Sequence, residues 1–258
     1  MIAINQLRSD PHYRKDAFDQ GLLACGYKLE QGTRRPKSRD DLLLVWNRMP
    51  ANEPQAAAWE SQGGTVLVAE NAYLQPGKFG MYAISVHGHC GSGWFPVGDE
   101  DRFTPLGFEL RPWVSEGHVL VCGQRGIGSR LMASPPHWDI KIVQRLRAMG
   151  HAKVRHRPHP GKVAPKTTLA QDLQGAGLCV VWSSASGVLA LTLGVPVIYC
   201  APHWICAGAA GKGLGSTPPR SGREEAMHRM SHGQWSVAEI HSGEPFKRIL
   251  ARLGDAAW

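Results

Sequence analysis

The sequence is short of acid: 21 Asp and Glu stand against 29 Lys and Arg over 258 residues, for a net charge of +8. It contains no GxGxxG or Walker glycine motif, so a standard dinucleotide fold or a P-loop ATPase finds no support. Six cysteines are present without a single CxxC pair, and several lie in strand-like apolar runs; they read as buried free thiols rather than disulfides or a zinc site. Membrane-length apolar runs of about 20 residues are also missing. The longest uncharged stretch, between Gly175 and Lys212, is interrupted by Ser, Gly, Pro and His. The opening MIAINQLRSDPHYRK lacks the basic start and continuous apolar middle of a secretory signal. A soluble cytoplasmic chain with no membrane contact is therefore expected. Hydrophobic residues at 43% and charged residues at 19% exclude wholesale disorder.

What is present is alternation. IAINQL reads as a strand, a helix follows over about 11–26, and DLLLVWN is a continuous apolar run suited to a strand covered on both faces. EPQAAAWESQGG reads as a helix closed by glycines, and TVLVAE as the next strand. The Gly- and aromatic-rich middle, 71–116, shows weak periodicity, with MYAISVHG its best strand. A second series then runs HVLVCGQ, a helix over about 137–149, AKVRHRPH, a short helix capped by Thr167 or Thr168, LCVVWS, SASGVLALTLG and VPVIYC. Two β-α series predict an α/β protein of two facing Rossmann-like lobes on parallel sheets. The expected division is 1–114, 115–220 and a helical tail at 221–258.

The second series concentrates anion chemistry. Between Lys141 and Gln171 lie eight Lys and Arg, three His and no acid. A solvated surface and a phosphate site both fit that field. CVVWSSASGVLAL carries a strand straight into Ser183, Ser184 and Ser186 at a helix start, where free N–H groups and the helix dipole favour an anion. Helix capping by serine is the plainer reading. VRHRPHPGK adds Arg155, Arg157, His159 and Lys162 at a neighbouring strand end, and GQRGIGS adds Arg125, Gly126 and Gly128. Three such loops at one sheet edge predict a nucleotide-diphosphate pocket.

These residues carry a resemblance. A strand ending in His159-Pro160 and a strand ending in Ser183-Ser184 before a helix resemble two-Rossmann, GT-B-like glycosyltransferases, capsule-polysaccharide transferases among them. LRSDPHYRKDAF, VAENAY, HGHCGSGWFPVG, CGQRGIGS, RPHPG and GVPVIYCAPHWICAGAA are similar to phage-encoded glycosyltransferases, which decorate 5-hydroxymethylcytosine in viral DNA with sugar. The resemblance reaches to about residue 240. It implies a nucleotide-sugar donor, UDP-linked, on the second lobe and an acceptor on the first, in the cytoplasm of an infected host cell if the source is viral.

Glycosyl transfer needs a base for the attacking hydroxyl and positive groups for the departing diphosphate. The candidates for the base are Glu70, ending TVLVAE, and Asp10, in the loop after IAINQL; His89 joins them as a catalytic candidate. Glu70 has a plain alternative as an exposed surface carboxylate, and Asp10 as a cap for a helix beginning at Pro11. Glu70-Asn71 resembles the acidic motif of capsule transferases, although AYLQP stands here where they have GFLRS. His87 and His89 lie two apart on an extended chain, with no third metal ligand spaced nearby. No metal ligands are assigned, no tightly bound cofactor is expected, and dependence on a divalent ion is open. Arg8, His12, Tyr13, Arg14 and His87 are acceptor or DNA candidates, and Trp204 is either a stacking platform or core. Hydroxymethylated DNA is the expected acceptor. A capsule or cell-surface polysaccharide transferase and a non-catalytic nucleic-acid-binding module are the alternatives; sugar, stereochemistry and oligomeric state are open.

Overall fold

The computed structural model describes residues 1–32, 34–74, 80–130 and 132–255. The chain opens with β1 (Ile2–Asn5), α1 (Lys15–Ala24), β2 (Lys28–Glu30) and β3 (Leu42–Trp46). It continues through α2 (Glu53–Ser61), β4 (Thr65–Asn71) and β5 (Met81–Val86). The second series is β6 (His118–Cys122), α3 (Trp138–Ala148), β7 (Val154–Arg157), α4 (Leu169–Leu173), β8 (Ala176–Val181), α5 (Ser186–Thr192), β9 (Val197–Tyr199) and β10 (Gly211–Lys212). The last elements are α6 (Arg223–His232), β11 (Gln234–Ser236), α7 (Val237–Ser242) and α8 (Glu244–Ala251).

Two compact units result. Unit 1 comprises Met1–Glu100 and Arg229–Trp258; unit 2 comprises Asp101–His228. The sequence reading puts its boundaries after 114 and 220, whereas these units part after Glu100 and inside α6, and only the part of the expected tail from Arg229 on belongs with the first unit.

Unit 1 is built on a six-stranded sheet in the order β11-β5-β4-β3-β1-β2. Leu42, Leu43, Leu44 and Val45 are all fully buried, which is why β3 reads as an unbroken apolar run. Their side chains alternate: Leu42 and Leu44 join the cluster holding Phe18 and Phe246, while Leu43 and Val45 join the one holding Ala56 and Trp59. The tail docks through Gly21 of α1, where a Cβ would come within 1.9 Å of the Ile240 carbonyl oxygen. The sheet is not parallel throughout. β5 runs antiparallel to β4, and the tail strand β11 pairs antiparallel to β5.

Unit 2 holds a wholly parallel five-stranded sheet in the order β10-β9-β8-β6-β7. Val119, Val121, Ile142, Leu146 and Val180 pack as its core. Thr168 caps α4 in a capping box with Gln171, as its sequence position predicts. The helix expected from Pro11 starts only at Lys15, because Asp10 makes a turn: its Oδ1 accepts the His12 N–H at 2.8 Å and its carbonyl accepts the Tyr13 N–H at 2.9 Å. Asp10 is thus no helix cap. The fold is α/β, with two Rossmann-like units.

Candidate functional site

In unit 2 the first strand of the series, β6, lies between β7 and β8, so the chain reverses its direction of travel across the sheet at the β6/β8 boundary. Open α/β sheets bind ligands at the carboxyl ends of the strands at such a reversal. The loops after β8, β6 and β7 stand side by side there, carrying Ser183, Gly123–Gly128 and His159. Gln124 ties the first two together: its Oε1 accepts the Ser183 N–H at 2.6 Å, and its Nε2 donates to Ser183 Oγ at 3.3 Å. Sequence reasoning missed Gln124, whose partner lies 59 residues away. Gly126 and Gly128 take φ of 70° and 122°, a region that penalises any side chain.

His159 is held in one tautomer. Its Nδ1 accepts the Gly161 N–H at 2.9 Å, which leaves the proton on Nε2 as a donor. Partial burial, then the nearby Arg125 and Lys162 charges, lower its pKa, so the ring is neutral at pH 7. Arg125 and Lys162 are exposed and form no ion pair among the described residues. Beneath the loops, burial alone would raise the Asp139 carboxyl, but the hydrogen bond and charge of His156, at 2.9 Å, hold it below its usual range.

Other second-series candidates have different duties. Arg157 is not open to a ligand: its guanidinium pairs closely with Asp172 and donates to the Thr167 carbonyl at 3.1 Å, fastening the start of α4. Ser184 Oγ accepts the Ser186 N–H at 3.1 Å and bonds Ser186 Oγ at 3.0 Å, while no side chain caps α5. Trp204 is core. It is 3% exposed and stacks on Tyr199 with centroids 5.6 Å apart, so it offers no face to a ligand.

In unit 1, Glu70, the last residue but one of β4, is half-buried rather than a free surface carboxylate. Its Oε1 accepts the Tyr73 hydroxyl at 2.7 Å and the Cys90 N–H at 2.6 Å. The Gln75-Pro76 portion of the AYLQP comparison lies outside the described residues. His89 is 6% exposed, and its Nδ1 makes no hydrogen bond among the described residues. Asp10 is exposed, beside an open cavity of about 620 Å³ also lined by Arg14, Lys15, Asp16 and Asp19.

His87 falls at the other edge of the sheet. Because β5 runs antiparallel, the residue after it meets the beginning of β4, and its N–H donates to the Val66 carbonyl at 2.8 Å. Its ring contacts Glu60. Arg48, also unread in the sequence, donates to both carboxylate oxygens of Glu53 and of Glu60 and to the His87 carbonyl. Burial would raise the Glu60 carboxyl, but bonds from His87 and Arg48 lower it. In the N-terminal group Tyr13 is half-buried and meets Trp46 edge-on at 4.9 Å, while the exposed His12 contacts Tyr13 at 5.1 Å and the exposed Arg8 lies 6.0 Å over the Tyr13 ring. Arg14 pairs with Asp16 at 3.0 Å and does not extend an unpaired basic track. Among the described residues no group of three or more His, Cys, Asp or Glu comes together to hold a metal, and no helix is long and apolar enough to cross a membrane.

Compared with known proteins, the chain matches no family model and no curated protein. Among solved structures it is similar to the β-Kdo 2,7 transferase of KpsC from Thermosulfurimonas dismutans, with a TM-score of 0.58 at 13% identity, over 94% of this chain and 97% of that one. The fold is GT-B-like. The β-Kdo 2,4 transferase of the same KpsC is similar at a TM-score of 0.58 and 10% identity, over 90% of each chain. The GT-B-like architecture thus spans both units of the chain, at identities that speak for the fold alone.

Proposed function

We propose that the chain is a glycosyltransferase that moves a sugar from a nucleotide-sugar donor, UDP-linked, to the hydroxyl of a hydroxymethylated pyrimidine in DNA. The observation that carries the donor half is the meeting of three β-α loops at the β6/β8 reversal, with a neutral His159 Nε2–H set among Arg125 and Lys162. Two cations and a fixed donor suit a diphosphate whose negative charge grows as the sugar leaves. The net reaction breaks the C1–O bond to the diphosphate and forms one to the acceptor oxygen, whose proton passes to a base. Glu70 is the base in this reading: Tyr73 and Cys90 orient Oε1, and Oε2 is left for the acceptor. The DNA half rests on the resemblance of the sequence motifs and on the net charge of +8.

A second reading, a transferase of capsule sugars, is favoured by one observation: the structural neighbours are named as Kdo transferases. A thermal-shift series with UDP, CMP and their sugar conjugates tests the donor site. Stabilisation by UDP, weakened roughly ten- to hundredfold in affinity by His159→Ala, is expected. A response to a nucleotide other than UDP overturns the UDP assignment, and no response to any nucleotide removes the donor site.

A further inference from the structure

The positive charge is unevenly shared. Unit 1 carries fourteen Lys and Arg against fourteen Asp and Glu, and unit 2 carries fifteen against seven. The whole surplus of eight therefore lies on unit 2. Much of it is on one side of the unit, where α3 packs against β7, the edge strand of the sheet. Lys141, Arg145 and Arg147 of α3, then Lys153 and Arg155 at β7, are exposed, and none forms an ion pair among the described residues. Lys162 continues the series beside His159. The acids bracketing this segment are both engaged, Asp139 with His156 and Asp172 with Arg157. Lys153 and Arg155 also line an open groove of about 920 Å³, in which Glu116 is the acid.

We infer that the α3–β7 face of unit 2 is a docking surface for the phosphate backbone of duplex DNA. This rests on the DNA-acceptor reading and moves the DNA contact from the N-terminal residues of unit 1 to unit 2. An 11-residue helix is about 16 Å long, the length of roughly five base pairs. An edge strand is commonly guarded by cations against pairing with other chains, which accounts for Arg155. It does not account for three more on the outer face of α3. An anionic membrane surface is the competing partner, since Ile140, Met149 and Val163 are 42%, 51% and 56% exposed. A helix lying on lipid presents a continuous apolar face outward. The outer face of α3 instead sets Ile140 among Lys141, Gln144, Arg145 and Arg147.

The test titrates a fluorescent 20-base-pair duplex containing 5-hydroxymethylcytosine against the full chain at several salt concentrations. The triple variant Arg145→Glu, Arg147→Glu, Lys153→Glu is expected to bind more than about tenfold more weakly at low salt, with a slope of log affinity against log salt shallower by about two to three. Arg8→Glu with Arg35→Glu in unit 1 is expected to change affinity less than about threefold. Stabilisation by UDP, retained in every variant, shows that each is folded with its donor site intact. The inference is overturned if the triple variant keeps wild-type affinity and slope, if the unit 1 variant is the one that loses binding, or if the wild type binds phosphatidylserine vesicles and not the duplex. A wild type that binds no duplex while UDP still stabilises it removes the DNA acceptor and leaves the donor site standing.

Discussion

Arg48 of unit 1 and Arg125 of unit 2 follow strands that flank corresponding reversals of chain direction, β1/β3 and β6/β8, yet they are used in opposite ways. Arg48 is almost buried, with a side chain 13% exposed, and its guanidinium is saturated by Glu53, Glu60 and the His87 carbonyl. Arg125 is exposed and without an ion pair among the described residues. The same contrast runs through both units. Lys15 with Asp19, Arg34 with Glu30 and Arg248 with Glu244 are bound to neighbours in unit 1, whereas Lys162 and the α3–β7 cations are not. Arg48 serves as an internal strut in unit 1 and Arg157 as one in unit 2, whereas Arg125, Lys162 and the exposed cations of α3 and β7 have no such partner among the described residues. Saturated guanidinium has no donor left for a phosphate, so residue type alone does not mark a binding site.

The proposed function puts the base in unit 1 and anion binding in unit 2, and the sharpest way to break that division is Glu70→Gln. Turnover should fall about 10²–10⁴-fold with UDP affinity unchanged, measured as initial rate and by titration calorimetry. Asp10→Asn should leave turnover nearly intact, and the reverse pattern would move the base to Asp10. Next in size is the pair Arg48→Ala and Arg125→Ala. Removing Arg48 leaves two carboxylates facing each other and should cost about 1–3 kcal/mol of stability by urea unfolding. Arg125→Ala should leave stability within about 0.5 kcal/mol and weaken UDP binding instead.

Acidification should separate the units. His159 and Glu60 both have folded pKa values below their reference values of 6.5 and 4.5. In each window the unfolded chain therefore binds more protons, and stability falls as pH falls. The melting temperature should drop first below about pH 6.5 through His159 and again below about 4.5 through Glu60. His159→Gln should flatten the upper phase alone, and Glu60→Gln should reduce the lower, to which Asp139 also contributes. The smallest effect belongs to Arg14→Ala: its exposed pair with Asp16 is worth about 0–1 kcal/mol, and UDP binding should not change.

Long buried strands were legible in the sequence because β3 and β4 are apolar on both faces, and Thr168 was legible because its capping box is local. Strands β2, β10 and β11, of two or three residues, were not, since they lack the apolar run that marks the equally short β9. The direction of β5 was not legible either, since periodicity reports faces and not polarity, so nothing in the sequence brings His87 to the beginning of β4. Arg157 reads as a phosphate ligand until Asp172, 15 residues on, is brought against it. Gln124 has no local signature at all. Its role exists only where β6 and β8 become neighbours.

The most direct test of the account is transfer itself. DNA containing 5-hydroxymethylcytosine is incubated with the protein and UDP-sugars, digested to nucleosides and weighed by mass spectrometry. The account predicts a nucleoside heavier by one sugar residue, with one UDP released per sugar added, and loss of both in Glu70→Gln. Unmodified nucleosides with every donor, from a protein that UDP nevertheless stabilises, would contradict it.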